Sequence, residues 1–181
     1  MKFYKETNFK ETPIGKTPKT WKIVKVEEVA LPHKGAIKIG PFGSQIKKSE
    51  MVPKGVKVYG QENVIKNNFV IGSRYISYKK YKALKSVEIF PGDILITMMG
   101  SVGYATIFPE NAEKGIMDSH LLRIQVDRQL ILPIFLIQLI GCDLVKHQIK
   151  MLSRGAIMSG LNSRIVRSIR IPLPQLPEQQ K

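Results

Sequence analysis

Three prolines at near-alternate positions close the chain, and they restrict its fold more than any other feature. Residues 169–181 read IRIPLPQLPEQQK, with Pro172, Pro174 and Pro177. A proline fixes φ and has no backbone N–H to donate, which excludes this segment from a helix interior or a central strand. It is expected to run as an extended, polyproline-like strap. Pro177 followed by Glu178 then suits a helix start, because proline is tolerated at the first helical position and a carboxylate favours the positive helix end. Only four residues follow Pro177, so the chain is expected to be part of something longer.

With 181 residues, 43% of them hydrophobic, the chain has the length and composition to bury one domain's core. Lys and Arg number 29 against 14 Asp and Glu, a net charge of +15. Enrichment in charge for thermal stability raises glutamate along with lysine, and acids are scarce here, so the excess points to a polyanionic partner, nucleic acid ahead of a membrane surface. The single cysteine, Cys142, permits no internal disulfide and fits a reducing cytoplasm. Residues 1–10 lack the apolar core of a secretory signal. The most apolar run, 130–145, is interrupted by Pro133, Gln138, Gly141 and Asp143 and falls short of the roughly 20 residues a membrane span needs.

Residues 1–19 read as a polar arm, 20–175 as the main domain and 176–181 as the start of a connecting helix. Strands are expected over 21–29, 56–64, 94–99, 104–108 and 121–126, from alternation or short apolar runs. Glycine-rich loops are expected over 35–48 and 100–103, and a turn over 66–73. Helical spacing marks 77–86, capped by Ser77, and 161–168. The longest helix is expected over 133–152, with Pro133 in its first turn and Gly155 near its stop. Strands dominate to about residue 126 and helices after it, which makes the class α+β: a twisted mixed or antiparallel sheet with a long core helix.

No constellation of residues supports catalysis. Ser44 and Lys47 match S-x-x-K, but the partner motifs of that chemistry are missing. Asp118, Ser119 and His120 are adjacent, whereas a triad converges from distant positions, so a turn is expected. His33, His120 and His147 lack metal-ligand spacing, and Cys142 and His147 read as core packing in an apolar helix. Clustered carboxylates for a nuclease metal are absent, as is the N/D-P-P-[YF] loop of an amino-methyltransferase.

What remains is a binding surface. Ser44, Gln45, Lys47 and Lys48 follow the first glycine loop. Gln61, Asn63, Lys66, Asn67 and Asn68 crowd a turn. Arg74, Tyr78, Lys79, Lys80 and Lys82 interleave cations with aromatics, Ser101 lies in the second glycine loop, and Arg154 leads a C-terminal basic cluster with Arg164, Arg167 and Arg170. Lysine and arginine bind phosphates, while Asn, Gln and Arg can pair with base edges in the major groove. The turn around Asn67 and Asn68 is the expected base reader, and Lys79 and Lys80 the expected phosphate contacts. A small nuclease, a remnant of a fused modification enzyme and a basic RNA-binding domain are the alternatives. An RNA reader of the KH type is disfavoured, since its GXXG lies between helices and GPFG and GSVG sit among strand signals.

Four ordered segments, GPFGSQIK at 40–47, PGDILITMMGSVG at 91–103, SRGAIMSGLN at 153–162 and IRIPLPQLPEQQ at 169–180, carry a resemblance. Together they resemble the target recognition domain of a type I restriction-modification specificity subunit. The resemblance implies two such domains per subunit, each reading half of a split site in double-stranded DNA, separated by helices that pair as a coiled coil. It implies docking to a modification (methyltransferase) subunit and through it the restriction subunit, with no cofactor and no activity in the chain itself. One recognition domain and the first residues of a conserved helix are matched; the second domain is not.

Overall fold

The computed structural model describes residues 8–153 and 161–180. Twelve strands occur among them: β1 (Phe9–Thr12), β2 (Gly15–Pro18), β3 (Lys22–Lys25), β4 (Ile37–Ile39), β5 (Met51–Tyr59), β6 (Tyr75–Ile76), β7 (Glu88–Ile89), β8 (Ile94–Thr97), β9 (Ala105–Ile107), β10 (Gly115–Met117), β11 (Leu121–Ile124) and β12 (Arg170–Leu173). The helices are α1 (Gln61–Ile65), α2 (Tyr78–Ala83), α3 (Pro133–Gly141), α4 (Asp143–Leu152), α5 (Ser163–Ser168) and α6 (Leu176–Gln179). The protein is α+β, with its strands divided among two four-stranded and two two-stranded sheets rather than one.

One four-stranded sheet has the order β4-β11-β8-β9 and is antiparallel throughout. Its central strands, ILIT and LLRI, are buried at every residue, because apolar material covers both faces. Side chains alternate across a strand. Ile94, Ile96, Leu122 and Ile124 therefore face a core shared with Leu136, Val145 and Val166 of the C-terminal helices. Leu95 and Leu121 face a second core with Val58, Val64 and Phe69. The second sheet, β6-β5-β10-β7, closes that core, with β10 parallel to β5 and antiparallel to β7. Tyr59, Phe69 and Phe108 meet edge to face there, at centroid distances of 5.1–5.6 Å.

Arg123 crosses between the sheets. It is buried on β11 and donates to the carbonyls of Glu88 and Gly35, the latter at 2.9 Å, with Asp93 3.8 Å from its Nε. Burial pushes the Asp93 carboxyl upward, against the pull of N–H bonds from Phe90 and Gln125 and the charge of Arg123.

Several expected elements are corrected. The helix expected over 133–152 is two helices, because Cys142 takes an extended backbone (φ −81°, ψ 156°) between them. Gly141 supports a helix poorly and Asp143 suits a new helix N-terminus, which explains the break. Cys142 is half-buried and His147 exposed, so His147 is not a core residue. The strand expected over 56–64 ends at Tyr59. Gly60 is extended, and the Asn63 side chain accepts its N–H at 2.9 Å, starting α1 instead. The strand expected over 21–29 turns into a 3-10 helix at Val26–Val29. The N-terminal arm holds a β-hairpin, β1–β2.

The proline strap is extended as expected, and β12 pairs antiparallel with β3 in a two-stranded sheet where Pro172 lies opposite Ile23. With only one neighbour, β12 leaves one side free of ladder bonds, which a strand containing proline requires. The closing helix starts at Leu176, and Pro177 takes its second position rather than its first. Gln179 holds it in place: its buried amide donates to the carbonyls of Leu130 and Pro174 and accepts from Leu132 N–H.

Candidate nucleic-acid interface

Loops from both sheets meet at one end of the β4–β11–β8 sheet. Gly40 N–H donates to Leu121 O, Asp118 N–H to Tyr59 O, Met98 N–H to His120 O and Leu161 N–H to Met98 O, each at 2.9 Å. The segments leaving β4, β5, β8 and β10 are thereby fixed against one another.

Two glycines allow the close approach. A Cβ at Gly40 would stand 1.7 Å from the Asp118 carbonyl oxygen, which no side chain tolerates. A Cβ at Gly60 would meet Arg74, Glu62 and Asp118 at 2.1–2.7 Å. Those three form a half-buried cluster, in which the Arg74 guanidinium bonds Asp118 at 3.0 Å and Glu62 at 3.1 Å. Asp118 also accepts the His120 backbone N–H at 2.9 Å, so residues 118–120 are the expected turn.

Above this base stand two glycine loops. In the first, Pro41 is buried, and Phe42, Ser44, Gln45, Lys47 and Lys48 are exposed. A 3-10 turn at Gly43–Gln45 shapes it, with Phe42 N–H donating to the Gln45 side chain at 3.1 Å. In the second, Gly100 and Gly103 have φ of 64° and 87°, a region that favours glycine. Thr97 ties this loop, donating to Ser101 O and accepting from Tyr104 N–H, and Ser101 is exposed.

The cations lie beside the first loop. Glu50 accepts from the Lys80 ammonium at 2.7 Å, joining the turn after Lys47 to α2. That bond, and the N–H of Lys47, hold the Glu50 carboxyl below its ordinary range. Lys80 is thus engaged, whereas Lys79, Lys82 and Tyr78 project from α2 into solvent. Ser77 caps α2 by accepting Lys80 N–H at 3.2 Å.

In the amide turn Asn63 is turned inward, whereas Asn67 and Asn68 are exposed. Asn63 is 1% exposed, and its amide donates to Asn68 O and Ile71 O while accepting Gly60 N–H. It builds the turn and cannot reach a base. Asn67 takes a left-handed backbone (φ 46°) and accepts from Thr106 Oγ1 at 2.5 Å. Asn68 caps Val70 N–H at 3.0 Å and is exposed beside Lys66. Asn67 and Asn68 line a groove of 780 Å³ with Val64 and Ile65 of α1, Tyr104 and Ile134. Gln61 is half-buried. Lys57 on β5 is 2% exposed, and its ammonium supports this turn by donating to Phe69 O and Val70 O.

In the C-terminal cluster, Arg164 and Arg170 are exposed, and Arg167 donates to Ile37 O at 2.9 Å. Arg154, and with it residues 154–160 of the third resembling segment, lies outside the described residues. Phe42, Gly40, Gly60 and the pairing of Arg74 with Glu62 and Asp118 were not anticipated as parts of the site; the two glycines beside strand ends were the available signal. Among the described residues, no group of three or more His, Cys, Asp or Glu could hold a metal ion, and no helix is long and apolar enough to cross a membrane.

Residues 18–181 match the family of type I restriction modification DNA specificity domains. The chain belongs to that family. As a specificity domain it is not an enzyme. It is 30% identical over its whole length to the type I restriction enzyme MjaIX specificity subunit of Methanocaldococcus jannaschii, and 25% identical to the MjaVIII specificity subunit of the same organism. The specificity domain spans about two fifths of those relatives, 40% and 38% of their lengths. Its fold is similar to that of an HsdS subunit from Thermoanaerobacter tengcongensis, with a TM-score of 0.63 at 19% identity over 95% of this chain and 37% of that one. A chain from a structure of a type I R-M system gives a TM-score of 0.64 at 17% identity, covering 93% and 37%.

Proposed function

We propose that this specificity domain recognises one half of a bipartite DNA target for a type I restriction-modification complex. The observation that carries the reading is the gathering of the two glycine loops and the 118–120 turn at one end of a chain of net charge +15, in a member of a DNA specificity family. Ser44, Gln45, Gln61 and Ser101 supply hydroxyl and amide groups for base edges. Lys47, Lys48, Lys79 and Lys82 neutralise phosphates beside them and fix register. Arg74, Asn63 and Lys80 hold the surface in shape, and Asn68 with Lys66 forms a secondary contact at its margin. The partners are double-stranded DNA, a second recognition domain, and a modification subunit through which the restriction subunit is engaged, all in the cytoplasm.

A salt titration of binding to a random-sequence duplex, read by fluorescence anisotropy, tests the reading. If about five phosphates are neutralised, log K should fall against log salt with a slope of about −4.5. Affinity that is flat with salt would refute it.

A further inference from the structure

Phe42 is 76% exposed, more than any other aromatic residue among those described. Its backbone is nevertheless held on both sides. Gly40 is locked against the Asp118 carbonyl and Pro41 is buried. On the other side, Phe42 N–H donates to Gln45 Oε1 at 3.1 Å, Gln45 N–H to Phe42 O at 2.8 Å, and Ile46 N–H to Gly43 O at 3.2 Å. An apolar ring is thus presented to water on a rigid stalk, at the end of the molecule where the loops converge.

The surroundings select the partner. The exposed neighbours along the loop are Ser44, Gln45, Lys47 and Lys48, which are donors to phosphates and base edges rather than a continuous apolar patch. The acids at this end are each paired with a cation, Glu62 and Asp118 with Arg74 and Glu50 with Lys80, which offsets their repulsion of phosphate. A fixed apolar ring ringed by such donors matches the wedge that DNA-bending proteins insert between base pairs.

We propose that Phe42 inserts between two adjacent base pairs of the target, so that the loop reads how easily a step unstacks as well as which bases flank it. This rests on the DNA-recognition reading above. Pyrimidine–purine steps open most readily, so the step chosen is expected to be TA or CA/TG.

The test uses the whole chain and a duplex that it selects from a random-sequence library, with 2-aminopurine placed at successive positions. Wild type is expected to raise emission about threefold at one step, where the base loses a stacking neighbour. Phe42→Ala is expected to abolish that rise and weaken the selected duplex about tenfold, while random-sequence duplex stays within about twofold. The ring is exposed, so thermal melting by circular dichroism should not change. A rise that persists in Phe42→Ala overturns the proposal. Selective binding by wild type with no rise at any position overturns the wedge and leaves DNA recognition standing. Failure of wild type to bind any duplex overturns both.

Discussion

Gly40→Ala is the sharpest test of how the loop end is built. The new methyl would lie 1.7 Å from the Asp118 oxygen and 2.5 Å from its carbonyl carbon. Both atoms belong to backbone, so no flexible side chain can yield, and the segments must part by more than an ångström. Separation breaks the 2.9 Å bond from Gly40 N–H to Leu121 O. Overpacking of this kind costs about 1–3 kcal/mol, and a lost hydrogen bond about 1 more. The expected loss is about 2–4 kcal/mol, a drop of roughly 1–2 M in urea midpoint for a slope near 2 kcal/mol/M. Gly43→Ala is the control, because its methyl would meet only Ser119 Oγ at an ordinary 3.8 Å, and it should stay within about 0.5 kcal/mol of wild type. Equilibrium urea unfolding of the three proteins decides it. A Gly40→Ala protein as stable as the control would show that the close approach of β4 to the Asp118 turn is wrong.

Asn63→Ala should cost about 2–4 kcal/mol by the same assay, since it strands Gly60 N–H and two carbonyls in a buried turn; Lys79→Ala, on an exposed residue, should cost almost nothing. The Asp93 carboxyl is raised by burial, so protonation favours the folded state. Its contribution is full below the unfolded carboxyl range and is lost as pH rises through the raised folded value. The stability of wild type relative to Asp93→Asn should therefore fall between acid and neutral pH, and urea midpoints showing it rise would contradict the burial argument. Lys47→Ala with Lys48→Ala should make the salt slope of DNA binding shallower by about 2, reducing affinity similarly for all sequences.

The parts legible in the sequence were those governed by local chemistry. Proline spacing gave the extended strap, Ser77 gave the α2 cap, and the apolar runs of 94–99 and 121–126 gave the central strands β8 and β11. Elements set by tertiary pairing were not legible. Strand β10 has three residues and no alternation, and it exists because β5 and β7 flank it. The α1 helix continues an alternating pattern, and only the Asn63 amide folding back on Gly60 distinguishes it from strand. The same limit applied to the site. Asn63 and Lys57 look like surface donors by residue type, yet both are turned inward to satisfy carbonyls of the 68–71 turn. The loop end was invisible because it is assembled from segments as distant as Gly40 and Asp118, joined by a backbone contact that no pattern encodes.

Random-site selection with the whole chain tests the central claim most directly. The account predicts enrichment of a motif of a few base pairs, since a domain of this size covers only a short stretch of one groove. Ser44→Ala with Gln45→Ala should blur that motif at one or two positions, by about 1–3 kcal/mol for each lost base contact, while Asn67→Ala leaves it intact. No enriched motif, or a motif that Asn67→Ala erases and the Ser44/Gln45 pair does not, would contradict recognition by the gathered loop end.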